Sequence, residues 1–217
     1  FFISSSQAKA AAKLAFENEE IQKGKAKKAE KDALKDALSD EPSIDIALFG
    51  RMVADDPTMN IDASCQVAHA ISTHAVTAEY DYFTAIDDLG PEDNAGAGHI
   101  GTVEFNSSTL YRYATVAVHD LLAKLGEDTA SALQAFTEAF VTSMPTGKQN
   151  TFANRTLPSA LLLTFRSDQP INLVGAFEKP IVNRGEGFVE PSIQRLSEFT
   201  EELYEDFLPA PDFSFTV

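Results

Sequence analysis

Gly96, Gly98 and Gly101 stand in the spacing G-x-G-x-x-G, which lets a backbone turn approach the pyrophosphate of a dinucleotide. That chemistry needs a strand before the glycines and a helix after them. Here an acidic loop precedes them and Thr102-Val103-Glu104-Phe105 follows as a strand, so a dinucleotide site is rejected. Thr146-Gly147-Lys148-Gln149 ends like a phosphate loop but puts Gln where Ser or Thr must reach magnesium, and it is rejected too. His69, His74, His99 and His119 form no cluster of metal-ligand spacing with each other or with Cys65, so no metal or cofactor is expected. They read instead as sheet or interface histidines. Cys65 has no evident activating partner, and no G-x-S-x-G is present. Asp87 and Asp88 are adjacent, so their side chains diverge on helix or strand alike, which suits a solvated turn better than acid–base work.

Two other segments carry chemistry of a different kind. Tyr82-Phe83-Thr84-Ala85-Ile86 is aromatic and apolar within a polar surround. Exposed aromatics of this sort stack on nucleobases or dock against a neighbour; otherwise they belong to a small satellite core. Lys148-Gln149-Asn150-Thr151 offers a cation, two amides and a hydroxyl on a loop, the groups that meet phosphate and sugar oxygens, unless it is a plain polar turn.

The elements that must position these groups follow from periodicity. Ser4, Ser5 or Ser6 caps a helix over Ala10–Gln22, and the polar run that follows, closed by Pro42, is a solvated helix or connector. Ser43–Phe49 reads as a buried strand; Ser64–Ala75 alternates every second residue, which favours a strand, although its alanines leave helix possible. Residues 79–101 read as an arm or hairpin. Thr102–Phe105 and Leu110–Val118 read as two strands joined by Asn106-Ser107-Ser108. An amphipathic helix runs from Asp128 or Thr129 to about Ser143, with Leu133, Phe136, Phe140 and Val141 inward. Ala160–Phe165 is a strand. A last helix starts at Pro191-Ser192 with Ile193, Leu196, Phe199, Leu203 and Phe207 at helical spacing, and the tail after Leu208 is draped or disordered. Strands mixed irregularly with helices predict an α+β fold.

Composition sets limits on function. The 217 residues, 44% hydrophobic, suffice for one sizeable core or for a domain with an inserted subdomain. No apolar run is long enough to span a membrane, no signal peptide is supported, and a lone cysteine fits a reducing cytosol, so a cytoplasmic chain without a membrane partner is expected. The first residue is not Met, which implies that the numbering begins inside a longer protein. A net charge of −16 argues against general polyanion binding, although it leaves room for a local groove. Eight of the 17 basic residues are lysines between Lys9 and Lys35.

In order along the chain, several short runs resemble one family. Asp45-Ile46-Ala47-Leu48-Phe49-Gly50-Arg51-Met52 is similar to the D-I-A-L-x-G-R-M signature of the type I-E CRISPR Cascade backbone subunit, the CasC family. Ala68-His69-Ala70-Ile71-Ser72-Thr73-His74 resembles its A-H-A-I-T-T-H segment. Phe83-Thr84-Ala85, Asp87-Asp88-Leu89, Gly98-His99-Ile100-Gly101-Thr102 and Tyr111-Arg112-Tyr113-Ala114 follow in the family's order. Lys148-Gln149 with Thr151, Ala176-Phe177-Glu178-Lys179 and Pro191-Ser192-Ile193-Gln194 complete the series.

The resemblance implies a non-catalytic, hand-like subunit. It would have a modified RRM-like (ferredoxin-like) palm sheet, helical fingers and a protruding β-hairpin thumb. Residues 1–43 would be fingers segment or connector, 44–76 palm strands, 77–104 the thumb arm, 105–208 palm and packing helices, and 209–217 the tail. Copies would line up head to tail along a CRISPR RNA, kink it at regular intervals, and present it for pairing with target DNA. The partners implied are that RNA, target DNA through the guide, neighbouring copies and other Cascade subunits. Carried over by motif, Phe83, Thr84 and Ile86 fall on the thumb that wedges at the kink, and Arg51 and Met52 beside RNA at the palm. Lys148 and Gln149 fall among backbone contacts. The family's N-terminal region, with its first palm strand and several RNA contacts, is not in this chain. Two competing classes are a small cytosolic hydrolase using His69 or His74 with an Asp, and a scaffold independent of nucleic acid.

Overall fold

A computed structural model describes residues 2–18, 21, 23, 27–39, 42–85 and 99–217. The chain divides into two units, the first made of 1–68 and 114–158, the second of 69–113 and 159–217.

The first unit opens with helix α1, Ser5–Glu17. Ser4 caps it in a reciprocal box: the Gln7 amide N–H donates to Ser4 Oγ, and the Ser4 N–H donates to Gln7 Oε1, both at 3.0 Å. Helix α2, Lys28–Ser39, buries none of its residues, as its solvated composition predicts.

Ile44–Phe49 is helix α3, not the strand that its β-branched residues suggested. Ile46, Ala47 and Leu48 are buried as expected, but the Ala47 N–H donates back to Ser43 O at 2.9 Å, a helical turn and not a strand ladder. Gly50 ends the helix. Its N–H donates to Ile46 O at 2.8 Å, its φ is +77°, and a Cβ there would lie 2.7 Å from the carbonyl oxygen of Ile61.

The expected strand over Ser64–Ala75 is two short ones, β1 (Cys65–Val67) and β2 (Ile71–Ser72). β1 pairs antiparallel with β6, Ala114–Val116. Helix α4, Val118–Leu125, and helix α5, Thr129–Thr142, complete the core, in which Ala47, Leu48, Cys65, Leu121 and Ala132 meet Val116, Leu125, Leu133 and Phe136. A polar clamp ties β1 to α4. Ser64 Oγ donates to Asp120 Oδ2 at 2.7 Å, and Lys124 Nζ reaches the same oxygen at 2.6 Å and Ser64 Oγ at 2.9 Å.

In the second unit β2 pairs with β5, Leu110–Tyr111, and β3, Glu79–Ala85, pairs with β4, His99–Phe105. The strands around Asn106-Ser107-Ser108 therefore do not pair with each other. Each finds an earlier partner instead. A second core gathers Ala176, Phe177 and Ile181 with Ile71, Tyr111, Phe188, Leu196 and Phe199. The Tyr111 hydroxyl donates to Asn172 Oδ1 at 3.0 Å and accepts the Leu173 N–H at 3.1 Å, and burial pushes its pKa up to about 12.

Helix α7, Val189–Asp206, lays Leu196 and Phe199 on this core. Ile193, at the same helical spacing, is exposed, as is Phe207, which lies just past the last residue of the helix. The tail is ordered. Phe213–Thr216 forms β8, antiparallel to β7, Leu162–Phe165, and Arg166 Nη2 donates to Pro209 O at 2.9 Å. Backbone pairing of an extended Phe-rich segment outweighs the disorder that its proline content suggested. Mixed helices and two-stranded antiparallel ladders make an α+β fold. Among the described residues no helix is long and apolar enough to cross a membrane.

Candidate nucleic-acid interface

The β3–β4 ribbon carries the aromatic segment singled out from the sequence. Its register pairs Tyr82 with Thr102, Phe83 with Gly101, Thr84 with Ile100 and Ala85 with His99. All seven residues of β3 are exposed. Alternation sends Tyr80, Tyr82 and Thr84 to one face and Asp81, Phe83 and Ala85 to the other. Phe83 and Thr84, assigned together to one wedge, therefore point to opposite faces. Tyr80 and Tyr82 are 71% and 73% exposed, and Phe83 47%. Phe83 is the better covered because its ring lies on Gly101, where a Cβ would stand 2.5 Å from Cζ. Ile86, Asp87-Asp88 and the glycines Gly96 and Gly98 lie outside the described residues.

Arg51 and Met52 are neighbours in the first unit with opposite fates. Met52 is 83% exposed, whereas Arg51 is buried. The Arg51 guanidinium donates to Met59 O from Nε at 3.1 Å and Nη2 at 2.8 Å, and from Nη1 to Gln7 Oε1 at 3.2 Å and Phe2 O at 3.3 Å. Burial lowers its pKa. Its backbone is paired with Ile61 in both directions, at 2.8 and 2.9 Å. In this geometry Arg51 organises the turn that displays Met52 and offers no outward fork to a phosphate.

Gln149–Phe152 forms a single helical turn, α6, bracketed by Lys148 at φ +59° and Ala153 at φ +49°. Left-handed backbone at two non-glycine residues is uncommon and costs about 1 kcal/mol or more at each. Lys148, Asn150 and Thr151 are exposed, and Gln149 is half-buried with its Oε1 accepting from Arg155 Nη2 at 3.0 Å. The four residues thus form one exposed polar turn in the first unit, as their composition suggested.

Of the two histidines on which the hydrolase alternative rests, His74 is spent on structure. His74 Nδ1 donates to Ala75 O at 2.9 Å, Nε2 accepts the Thr109 N–H at 3.1 Å, and the ring stacks on Phe188 with centroids 3.6 Å apart. Both nitrogens are used, so neither is placed to take a proton from a substrate. Cys65 is buried, and burial raises its thiol pKa, the reverse of activation. Among the described residues no group of His, Cys, Asp and Glu could hold a metal.

Arg155 is the residue that motif reading missed. A signal was present in composition: from Ala139 to Ser167 the sequence has no Asp or Glu, in a chain with 33 acids, and Lys148 and Arg155 both lie inside that window.

Solved structures share this arrangement of elements. The chain is similar to a chain of a "CRISPR RNA-guided surveillance complex, pre-nicking", with 32% identity over 94% of this chain and 56% of that one, at a TM-score of 0.77. It is also similar to a chain of a "CRISPR RNA-guided surveillance complex", with 31% identity over 99% of this chain and 73% of that one, at a TM-score of 0.70. The fold is thus that of a surveillance-complex subunit, although this chain spans only a little over half the length of the first of those two relatives. Residues 1–217 match the family described as CT1975-like protein, and the chain belongs to that family. No curated protein matches it.

Proposed function

We propose that this protein is a non-catalytic RNA-binding backbone subunit of a type I-E Cascade complex, of the CasC kind, acting in the cytoplasm. It coats the spacer of a CRISPR RNA with head-to-tail copies, kinks the RNA at regular intervals and presents the intervening bases to target DNA. Other Cascade subunits join the same guide. In this reading the palm is RRM-like and the β3–β4 ribbon is the thumb, with Phe83 at the kink. Met52 lies beside the RNA at the palm, held in place by Arg51, and Lys148, Gln149, Asn150 and Thr151 contact the RNA backbone.

One observation carries the reading: an exposed two-stranded ribbon bears Tyr80, Tyr82 and Phe83 in a chain otherwise dominated by acid. Aromatic contact with an unstacked base contributes about 1–3 kcal/mol and accepts any sequence. Sequence tolerance is what a guide-coating protein requires, because base pairing supplies specificity. The family membership and the two structural likenesses support the same class.

The test is salt-dependent binding of a labelled single-stranded RNA of arbitrary sequence to the full-length protein. Binding that tolerates sequence, weakens with salt and falls on Phe83→Ala supports the proposal. Absence of binding, with Cascade partners and a CRISPR RNA present, overturns it.

A further inference from the structure

We propose that Arg155 forms a second phosphodiester subsite beside the Lys148–Thr151 turn, so that the turn presents two cations to one nucleic-acid strand. The inference rests on the RNA-binding reading and adds to it a residue that the family motifs did not supply.

Four observations converge. The left-handed backbone at Ala153 lets the chain double back, so that Arg155, six residues on, returns to Gln149 and donates to its Oε1 at 3.0 Å. That bond uses one of the five N–H donors of a guanidinium, and the planar fork keeps the others for an anion. Arg155 also lines a small cleft of about 90 Å³ with Thr142, Met144, Thr156 and Leu157. A lining that combines a guanidinium and two threonines with Met144 and Leu157 suits a sugar–phosphate unit, which is part charged and part apolar.

Ion pairing supplies the third observation. Lys35, Lys124 and Arg166 are each tied to a carboxylate, whereas among the described residues no ion pair claims Lys148 or Arg155. The fourth is the acid-free window from Ala139 to Ser167, a local relief from the repulsion that a net charge of −16 imposes on any polyanion. The strained turn has a use on this view, since its two left-handed residues bring both cations to one short loop.

The experiment compares wild type, Arg155→Gln and Arg155→Lys in the full-length protein, with a fluorescein-labelled single-stranded RNA as probe. Arg155→Gln keeps a polar amide at this position and removes the charge. Binding is read between about 50 and about 300 mM salt, where each phosphate contact on a single strand contributes about 0.7 to the slope of log K against log salt. Arg155→Gln is expected to lower affinity about 5–10-fold at the low-salt end and to flatten the slope by about 0.7. Arg155→Lys, which keeps the charge, is expected to keep the wild-type slope. An Arg155→Gln protein with the wild-type slope, whether or not its affinity falls, overturns the subsite and leaves the RNA-binding reading standing. Wild-type protein that binds no RNA overturns both.

Discussion

The ring of Phe83 lies over Gly101, its partner across the β3–β4 ribbon, closely enough that a Cβ on residue 101 would stand 2.5 Å from Cζ. Glycine opposite an aromatic lets the ring fold down onto the neighbouring strand and cover the backbone that glycine leaves bare. The pair therefore sets where the ring points as well as how exposed it is.

Gly101→Ala is expected to lift the ring without unfolding the protein, since the displaced atoms are the far end of a side chain. Melting temperature should change by no more than a few degrees. RNA affinity should fall toward that of Phe83→Ala, which is expected to be about 5-fold to about 100-fold weaker than wild type. A Gly101→Ala protein with wild-type affinity would show that the seated ring plays no part in binding.

Arg51→Ala removes four donors from buried acceptors, including Met59 O and Gln7 Oε1. Stranded acceptors of this kind cost about 2–4 kcal/mol together, read as a lower urea midpoint. Arg51→Lys should recover little, because one ammonium cannot reproduce the fork. If Arg51 contacted RNA instead, both variants would lower RNA affinity while leaving the urea midpoint in place.

Gly50→Ala should be among the most damaging small substitutions. It forces a side chain onto φ +77° and drives its Cβ to 2.7 Å from Ile61 O, a backbone atom that cannot swing aside. A loss of about 2–3 kcal/mol is expected from strain alone, measured by chemical denaturation.

Stability should fall at both pH extremes for separate reasons. Hydrogen bonds from Arg166, then from the Gln169 N–H, lower the Asp168 carboxyl to about 2. A depressed folded pKa gives stability that is complete above the unfolded value near 4 and is lost as pH drops toward about 2. Asp168→Asn should flatten that acid limb. Tyr111 has the opposite sign. Its folded pKa is raised to about 12, so its contribution is complete below about 10 and is lost as pH climbs from there to about 12. Tyr111→Phe should remove the alkaline loss at the expense of the bonds to Asn172 and Leu173. Melting temperature followed across pH reads both limbs. An unchanged acid limb in Asp168→Asn would show that other carboxylates govern it.

Helix α5 was legible because its apolar residues follow a helical period, and a helix cap was legible in the Ser4-Ser5-Ser6 run, of which Ser4 is the residue that caps. The arm over 79–101 was legible as a protrusion, but β3 is exposed throughout, and Thr102–Phe105 was joined to Leu110–Val118 when it pairs with β3 instead. Ser43–Phe49 was misread because Ile44 and Ile46 favour strands locally, while the core into which Ile46, Ala47 and Leu48 all sink is assembled from α4 and α5, far along the chain. Leu110–Val118 was misread as one strand because its two halves, β5 and β6, pair with different strands, β2 and β1. At the candidate site, types and positions were legible and directions were not. No pattern separates the inward Arg51 from the outward Met52, since the acceptors that turn Arg51 inward are contributed by Phe2, Gln7 and Met59.

Neither unit is a continuous piece of chain, and this bears on how the protein is made. Residues 69–113 leave the ribosome with the aromatic ribbon complete, but their remaining partners begin only at residue 159, after 45 residues of the other unit. At about 5–20 residues per second that is a wait of about 2–9 seconds. For that interval Ile71 and Tyr111 lack Ala176, Phe177, Ile181, Phe188, Leu196 and Phe199, the core partners that cover them in the finished unit. A nascent chain in that state is a natural client for a ribosome-bound chaperone, and synonymous codon changes within 114–158 that slow translation would lengthen its exposure without altering a single residue.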